Sequence, residues 1–158
     1  MEDGKRIVKL TLDEKIGRRS NPDVEHERNI AVFDLLEENA FAPACAHPGP
    51  YALHLRIEED RLLFQVCDPE DGRLIETYTL GLAPFRKLVK DYYTVCESYF
   101  QAIKTASPSR IEAIDMGRRA LHDESAIKLR EGLADKIDVD HPTARRLFTL
   151  LCVLHFKG

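Results

Sequence analysis

The sequence predicts an α+β fold, in which an antiparallel sheet of about four strands has helices packed on one of its faces. Apolar and polar residues alternate with period two over Ile7–Asp13 and again in three consecutive segments between Tyr51 and Leu82. From Ala83 onward the apolar residues recur at spacings of three and four, which is typical of helices. Strands joined by short turns pair antiparallel, and alternation leaves one sheet face for helices to cover.

The first strand is expected at Ile7–Asp13, and a helix should follow it. Asn21-Pro22-Asp23 is typical of a helix start, since proline suits the first turn and acids suit the positive end of the helix dipole. We expect this helix to end near Asn39, before a proline- and glycine-rich loop over residues 43–50. Its core stripe is predicted to contain Val24, Ala31, Val32, Leu35 and Leu36, with Ile30 and Phe33 beside it.

Three strands should then form a meander. They alternate over Tyr51–Ile57, Leu62–Val66 and Leu74–Leu82. Asp68-Pro69-Glu70-Asp71-Gly72 is a strong turn signal before the third strand.

The second half of the chain is predicted to be helical. One helix carries a core stripe, and the next starts at Ser109 with Glu112 as its capping-box partner. A weaker helical stretch is expected at Glu124–Leu133, and Asp140 should cap a last helix. That last helix is apolar nearly all round over Leu147–Phe156, so it is either central or meets another chain. The stripe of the first of these helices comprises Phe85, Leu88, Tyr92, Cys96, Tyr99 and Ile103.

Composition narrows the class of protein. The chain has 158 residues, which is the length of one domain, and we assign residues 1–158 to a single domain. Its net charge of −4 argues against binding nucleic acid by bulk electrostatics. Four cysteines without a Cys-x-x-Cys pair favour reduced thiols and a cytoplasmic location, and no cofactor or metal site is predicted. No signal peptide or membrane span is expected, because no apolar run approaches the roughly 20 residues that a span needs.

Cations stand at the wrong ends of two predicted helices. A helix start is positive, so basic residues there are unfavourable by about 0.3–1 kcal/mol each, and free N–H groups beside cations are typical of an anion site. The sequence therefore suggests a phosphate or carboxylate site. The competing interpretation is solvated cations, or cations paired with acids such as Glu76 or Asp138. The residues concerned are Arg86, Lys87 and Lys90, then Arg145 and Arg146, with Arg18 and Arg19 just before the first helix.

A second candidate site lies on the third predicted helix. Asp115, Arg118, Arg119 and His122 stand at i, i+3, i+4 and i+7, so they share one face. A carboxylate, an imidazole and two guanidiniums could serve acid–base chemistry on an anionic substrate. The alternative is a salt-bridged face, although Arg118 falls on the buried side and needs a partner there, either Asp115 or a ligand.

Other polar groups carry weaker signals. His26 lies on an apolar stripe between two acids, and it is either a base or a residue that borders the apolar face. Asp138, Asp140 and His141 have a spacing that metal ligands can have, but Asp140 is better explained as a cap. His47 near Cys45 lacks an obvious third catalytic partner. Phosphate-loop, dinucleotide-binding, nucleophile-elbow and zinc-protease motifs are absent.

Four stretches together resemble a known family of uncharacterised alphaproteobacterial proteins of about this length. The resemblance covers nearly the whole chain. It implies a cytoplasmic bacterial protein, and it brings no activity with it. The stretches are IGRRSNPDVEHERNIAVFDLLEENAF, LAPFRKLVKDYYTVCESYFQAI, IEAIDMGRRALHDE and TARRLFTLLCVLHFKG.

Three functions remain open at this point. The leading hypothesis is a non-enzymatic binding or regulatory protein that forms a homodimer through its C-terminal helix. The alternative is a small enzyme or sensor for an anionic small molecule, using the two arginine clusters with His122 or His26 as base. A third hypothesis is an RNA-binding accessory factor, for which the basic residues would have to form one stripe. The net charge makes nucleic acid the least favoured partner.

Overall fold

The computed structural model describes residues 4–13 and 22–157, with side chains as far as His155. The strands are β1 (Ile7–Leu12), β2 (Phe41–Pro43), β3 (Tyr51–Glu58), β4 (Arg61–Cys67), β5 (Leu74–Gly81) and β6 (Ile137–Val139). The helices are α1 (Pro22–Glu37), α2 (Arg86–Thr105), α3 (Pro108–Leu133) and α4 (His141–Lys157), and a 3-10 turn (Ala83–Phe85) precedes α2.

The main sheet has the strand order β1-β3-β4-β5. Its β3-β4-β5 part is the predicted antiparallel meander. β1 is parallel to β3, with Leu10 beside Leu53, so the sheet is mostly rather than wholly antiparallel. The parallel pair follows from the connection, because the chain returns to β3 only after crossing over through α1. The α+β prediction is confirmed.

One face of this sheet is buried and the other is open. Alternate residues of β3 (Tyr51, Leu53 and Leu55) are at most 1% exposed and belong to the hydrophobic core. His54, which points the other way, bonds to Thr11 of β1, with 2.7 Å between its Nδ1 and the threonine Oγ1. The helices therefore cover a single face of the sheet, as the alternating pattern predicted.

The last helix is the centre of the core. α4 contacts α1, α2, α3 and β3. Its apolar side chains are buried all round, which confirms the central alternative for this helix. They are Leu147, Phe148, Leu150, Leu151, Cys152, Val153 and Leu154, each at most 5% exposed.

A second, two-stranded sheet was not predicted, and it joins two distant segments of the chain. β2 pairs antiparallel with β6, so that Phe41 is opposite Val139 and Pro43 is opposite Ile137. Asn39 ties this sheet to β1, because its side chain accepts from the Ile7 N–H (2.7 Å) and donates to the Ile7 carbonyl (3.0 Å). Strands of three residues are too short to show a periodic pattern, so the sequence did not reveal them.

Helix α3 is longer than predicted. It runs unbroken through both expected helical stretches, and the predicted capping box of Ser109 and Glu112 is wrong. The N-cap is Ser107, whose hydroxyl accepts from the Arg110 N–H at 3.3 Å. The helix persists past the weak region around Gly117 because its second half buries Leu129 and Leu133 in the core.

The buried stripe of α1 is narrower than predicted. Ala31 and Leu35 are buried, whereas Ile30 (43%), Phe33 (64%) and Leu36 (38%) are exposed. The main contacts of this helix are with α4 and β1, and these three apolar side chains remain exposed.

Shortening a buried side chain of α4 should strongly destabilise the protein. Leu151→Ala removes a fully buried side chain, and we expect a loss of about 2–5 kcal/mol in the free energy of unfolding. The matched control is Leu74→Ala, because this leucine is 52% exposed and should change stability by about 0.5 kcal/mol or less. Urea unfolding of both variants measures the difference, and equal losses would contradict the central position of α4.

Candidate functional site

The cations at the start of α2 are held by nearby acids. Arg86 forms an ion pair with Asp60, which lies in the turn between β3 and β4. Lys87 pairs with Asp91 one turn further along, at 2.8 Å. Lys90 is exposed. The unfavourable placement of Arg86 in the helix dipole is thus offset by a carboxylate from the adjacent hairpin, and this acid is not the Glu76 that the sequence suggested.

The predicted cluster on α3 exists, and its members bind one another. Asp115 accepts from Arg118 at 2.6 Å and from Arg119 at 2.7 Å. The Arg118 guanidinium also lies 4.3 Å from the centre of the Tyr99 ring, in a cation–π contact. The hydrogen bond from Arg118 lowers the pKa of Asp115 below its ordinary value. Of the two partners that the sequence allowed for Arg118, this chain supplies Asp115.

His122 is partly buried and points inward from the same helix. Its Nε2 lies 2.7 Å from the carbonyl oxygen of Arg145, so Nε2 carries the proton and donates it. Its Nδ1 faces the Arg145 guanidinium at 3.3 Å. Burial lowers its pKa from the ordinary 6.5 to about 4, so the imidazole is neutral at pH 7. Its two nitrogens are already used, which makes it a poor general base.

Arg145 is held by an acid in the middle of α3. It donates to Asp123 at 2.5 Å, and His141 lies 3.1 Å from the same carboxylate oxygen. The second helix start with misplaced cations is therefore also offset by an acid from a neighbouring element.

The structure brings some of the predicted residues together and keeps others apart. Arg118 and Arg145 both lie near His122. Arg86 lies thirteen residues before Tyr99 on α2, or about 20 Å along the helix from the place where Arg118 packs. Arg18 and Arg19 lie outside the described residues. The predicted cations thus form at least two separate groups, and their role as ligands of an anion remains a prediction.

A cleft between α1, α2 and α4 lies beside the His122 network, and we call it the α1–α2–α4 cleft. Its volume is about 110 Å³, and it is partly open to solvent. Tyr92 separates it from His122, since their ring centres are 5.0 Å apart. Its described lining comprises Asp23, Val24, Glu27, Tyr92, Tyr93, Cys96, Glu97, Phe100, Gln101, Thr149, Cys152 and Val153.

Sequence reasoning missed this cleft. Tyr92, Cys96 and Cys152 were correctly predicted as apolar positions, and burial raises the pKa of the Cys96 thiol to about 11. No local signal could have shown that these residues line a space, because the walls come from three helices that are far apart in sequence.

The histidine in the proline-rich loop has a partner that the sequence did not reveal. The Nε2 of His47 lies 3.0 Å from Asp68. Its Nδ1 accepts from the Gly49 N–H, also at 3.0 Å. With both nitrogens bonded, His47 cannot take a proton from Cys45, and the arrangement orders the loop against the turn after β4.

Comparison with known proteins identifies relatives along the whole chain. The model of the "Uncharacterised protein family (UPF0262)" matches residues 4–157. The chain belongs to the UPF0262 family. It is 56% identical to the UPF0262 protein of Rhodopseudomonas palustris strain TIE-1, over 97% of this chain and 93% of the relative. It is equally identical to the UPF0262 proteins of Nitrobacter winogradskyi Nb-255 and Bradyrhizobium sp. ORS 278, over 97% of this chain and 91% of each relative.

These relatives confirm the resemblance to an alphaproteobacterial family that the four quoted stretches suggested. No solved structure matches this UPF0262 chain. In the described ranges, no helix is long and apolar enough to cross a membrane. The same ranges contain no group of three or more histidine, cysteine or acidic side chains arranged to hold a metal ion.

The burial of His122 should make stability depend on pH. Between pH 6.5 and about 4 the unfolded chain takes up a proton at this histidine and the folded chain does not, so stability falls as pH falls through that window. Across this window, the lowered pKa of His122 reduces the free energy of unfolding by about 3 kcal/mol in total. We expect His122→Gln to flatten the dependence of the unfolding free energy on pH between 6.5 and 4. The control His26→Gln, at an exposed histidine, should leave it unchanged, and an equal effect of both variants would contradict the burial of His122.

Asp115, which pairs with two arginines, should contribute more to stability than an acid in an exposed ion pair. Asp115→Asn leaves the half-buried Arg118 with a weakened partner, and we expect a loss of about 1–2 kcal/mol in the unfolding free energy. Asp91→Asn removes the exposed pair with Lys87 and should cost about 0.5 kcal/mol or less. Denaturant unfolding at neutral pH compares the two, and a negligible effect of Asp115→Asn would show that Arg118 does not depend on it.

Proposed function

We propose that this protein is a non-enzymatic binding or regulatory protein that acts as a homodimer, and that the outer face of α1 forms the interface. The observation that carries the proposal is an exposed apolar stripe. Ile30, Phe33 and Leu36 follow one another at intervals of three on α1, and Phe33 is 64% exposed. Single exposed apolar residues are ordinary, whereas three neighbours on one helix form a patch that is typical of an interface.

The stripe on α1 replaces α4, the C-terminal helix, as the proposed dimer interface. The apolar side chains of α4 are already buried by this chain, which leaves them no area for a partner. Helix α1 differs, because Ala31 and Leu35 make its core contact and the stripe lies on the opposite side. The prediction of self-association is therefore kept, and its location moves from α4 to α1.

Charges beside the stripe support a second copy of this chain as the partner. Asp34 and Glu37 flank it on α1, and Arg146 of α4 lies across the groove that Ile30 and Asp34 line. Arg146 forms no ion pair with any residue that the structure describes. A two-fold interface brings the same surface together twice, so Arg146 of each copy would meet the acids of the other.

The other hypotheses have less support. The arginines expected to bind an anionic metabolite have acid partners within the chain, and they belong to at least two groups. A stripe of basic residues for RNA is not visible in the described ranges, and the net charge is −4.

Sedimentation tests the interface. We expect the wild-type chain to form a dimer at micromolar concentration, and Phe33→Ser to weaken the dimer by at least about tenfold, because truncation of a central aromatic residue removes much of the binding energy. The matched control is Met116→Ser on α3, which is 62% exposed and lies outside the stripe. It should leave the dimer unchanged.

A charge swap tests the orientation of the two copies. Arg146→Glu should weaken the dimer, and the additional change Glu37→Arg should restore it, because the swap recreates the opposite-charge pairs. A wild-type chain that stays monomeric at all concentrations overturns the proposal, and so does a dimer that Phe33→Ser does not affect.

A further inference from the structure

We infer that the α1–α2–α4 cleft binds a small organic cation, with an ammonium or guanidinium group carried on an apolar or aromatic body. The inference does not depend on the proposed dimer, since Phe33 does not line the cleft. It rests on the sign of the charges around the cleft, on the aromatic rings in its walls and on its size.

The charged residues in the described lining of the cleft are acidic. Asp23, Glu27 and Glu97 line it, and no basic side chain occurs in that part of the lining that the structure describes. Glu27 is half-buried, and within the described residues it forms neither an ion pair nor a hydrogen bond. A partly desolvated carboxylate without a partner is unfavourable, and a bound cation would stabilise it.

The acids are not explained by the start of α1 alone. Acidic residues in the first turn of a helix offset the positive end of its dipole, and Asp23 and Glu25 have that role here. Glu27 lies beyond the first turn, and Glu97 lies in the middle of α2, where the dipole has little effect. Both nevertheless line the same cleft.

The field of Glu27 reaches the interior of the cleft. Burial raises the pKa of both Tyr92 and Cys96, and the negative charge of Glu27 raises each of them further, while Arg118 partly offsets this effect at Cys96. An anion placed beside these groups would meet the same repulsion that opposes their own ionisation. A cation would be attracted instead.

The walls suit the apolar part of such a ligand. Tyr92, Tyr93 and Phe100 supply aromatic rings, whose faces attract cations by about 0.5–2 kcal/mol. Cys152 and Val153 form an apolar floor on α4. The Thr149 hydroxyl is already bonded to the Arg145 carbonyl and His122, so it does not make the floor polar.

The volume sets the class of ligand. The volume of the cleft is about 110 Å³, which is close to the roughly 150 Å³ of an apolar cavity that holds benzene, so the ligand is a small molecule. It would hold an aromatic or aliphatic amine, and it is too small for a folded macromolecule. Arg118 lies close to Cys96 of the lining and is paired with Asp115. Arg145 and Arg146 line a neighbouring groove that Glu27 also borders, and Arg145 is paired with Asp123.

Three probes of nearly equal shape and different charge test directly whether the cleft prefers a cation. Isothermal titration of the full chain with 2-phenylethylammonium, 2-phenylethanol and 3-phenylpropionate compares a cation, a neutral molecule and an anion. We expect the ammonium to bind at least tenfold more tightly than the alcohol, and the carboxylate to bind more weakly than both. Equal affinities, a preference for the carboxylate, or no saturable binding of any probe at millimolar concentration would overturn the inference.

A pair of variants tests the residue that carries most of the argument. Glu27→Gln keeps the shape of the side chain and removes its charge, so it should reduce the preference for the ammonium over the alcohol at least fivefold. The control Glu131→Gln removes an exposed charge of α3 that does not line the cleft, and it should preserve the preference. An unchanged preference in Glu27→Gln would contradict the assignment. The wild-type comparison of the three probes decides the inference even if that variant does not fold.

Discussion

Burial of α4 on all sides is the constraint on which the rest of the structure depends. A helix that is apolar all round has to be enclosed, and one sheet face covers only part of its circumference. The other helices of the described ranges therefore surround α4, with β3 beneath it. This arrangement leaves the far face of the sheet open, and it brings the middle of α2 beside the first turns of α1. The cleft lies where these two helices and α4 meet without filling the space between them.

The same arrangement resolves the electrostatic anomaly of the sequence. Arg86 and Arg145 stand at helix starts where a cation is unfavourable, and each is paired with an acid from another element, Asp60 and Asp123 respectively. Such pairs lie near the surface, so each contributes little to stability. They nevertheless occupy the guanidiniums that the sequence offered for an anion. Arg86 and Arg145 are therefore paired within the chain, and the candidate ligand site is lined by acidic residues instead.

The stripe on α1 and the α1–α2–α4 cleft are separate features of one helix. The stripe lies on the outer side of α1, whereas Val24 and Glu27 near its start line the cleft. Because both features belong to α1, ligand binding at its start and association along its outer side would act on the same element. A binding or regulatory protein of the kind we propose needs such an element, since coupling between two sites requires a part of the structure that both of them influence.

The sequence by itself determined most of the long strands and helices and much of the core. Period two placed β3, β4 and β5, helical spacing placed α2, and the uniform apolar pattern showed that α4 must be covered on all sides, because each of these signals is local and repeats over many residues. It did not show that β1 pairs in parallel, that β2 and β6 form a second sheet, or that Ser107 caps a single long α3. Those outcomes depend on which segments meet, and three-residue strands carry no period. The tertiary structure also decided which acid holds each arginine, why His122 is neutral, and that Glu27 and Glu97 line one cleft. These are contacts between distant parts of the chain, whose energies depend on burial and distance in space rather than on spacing along the sequence.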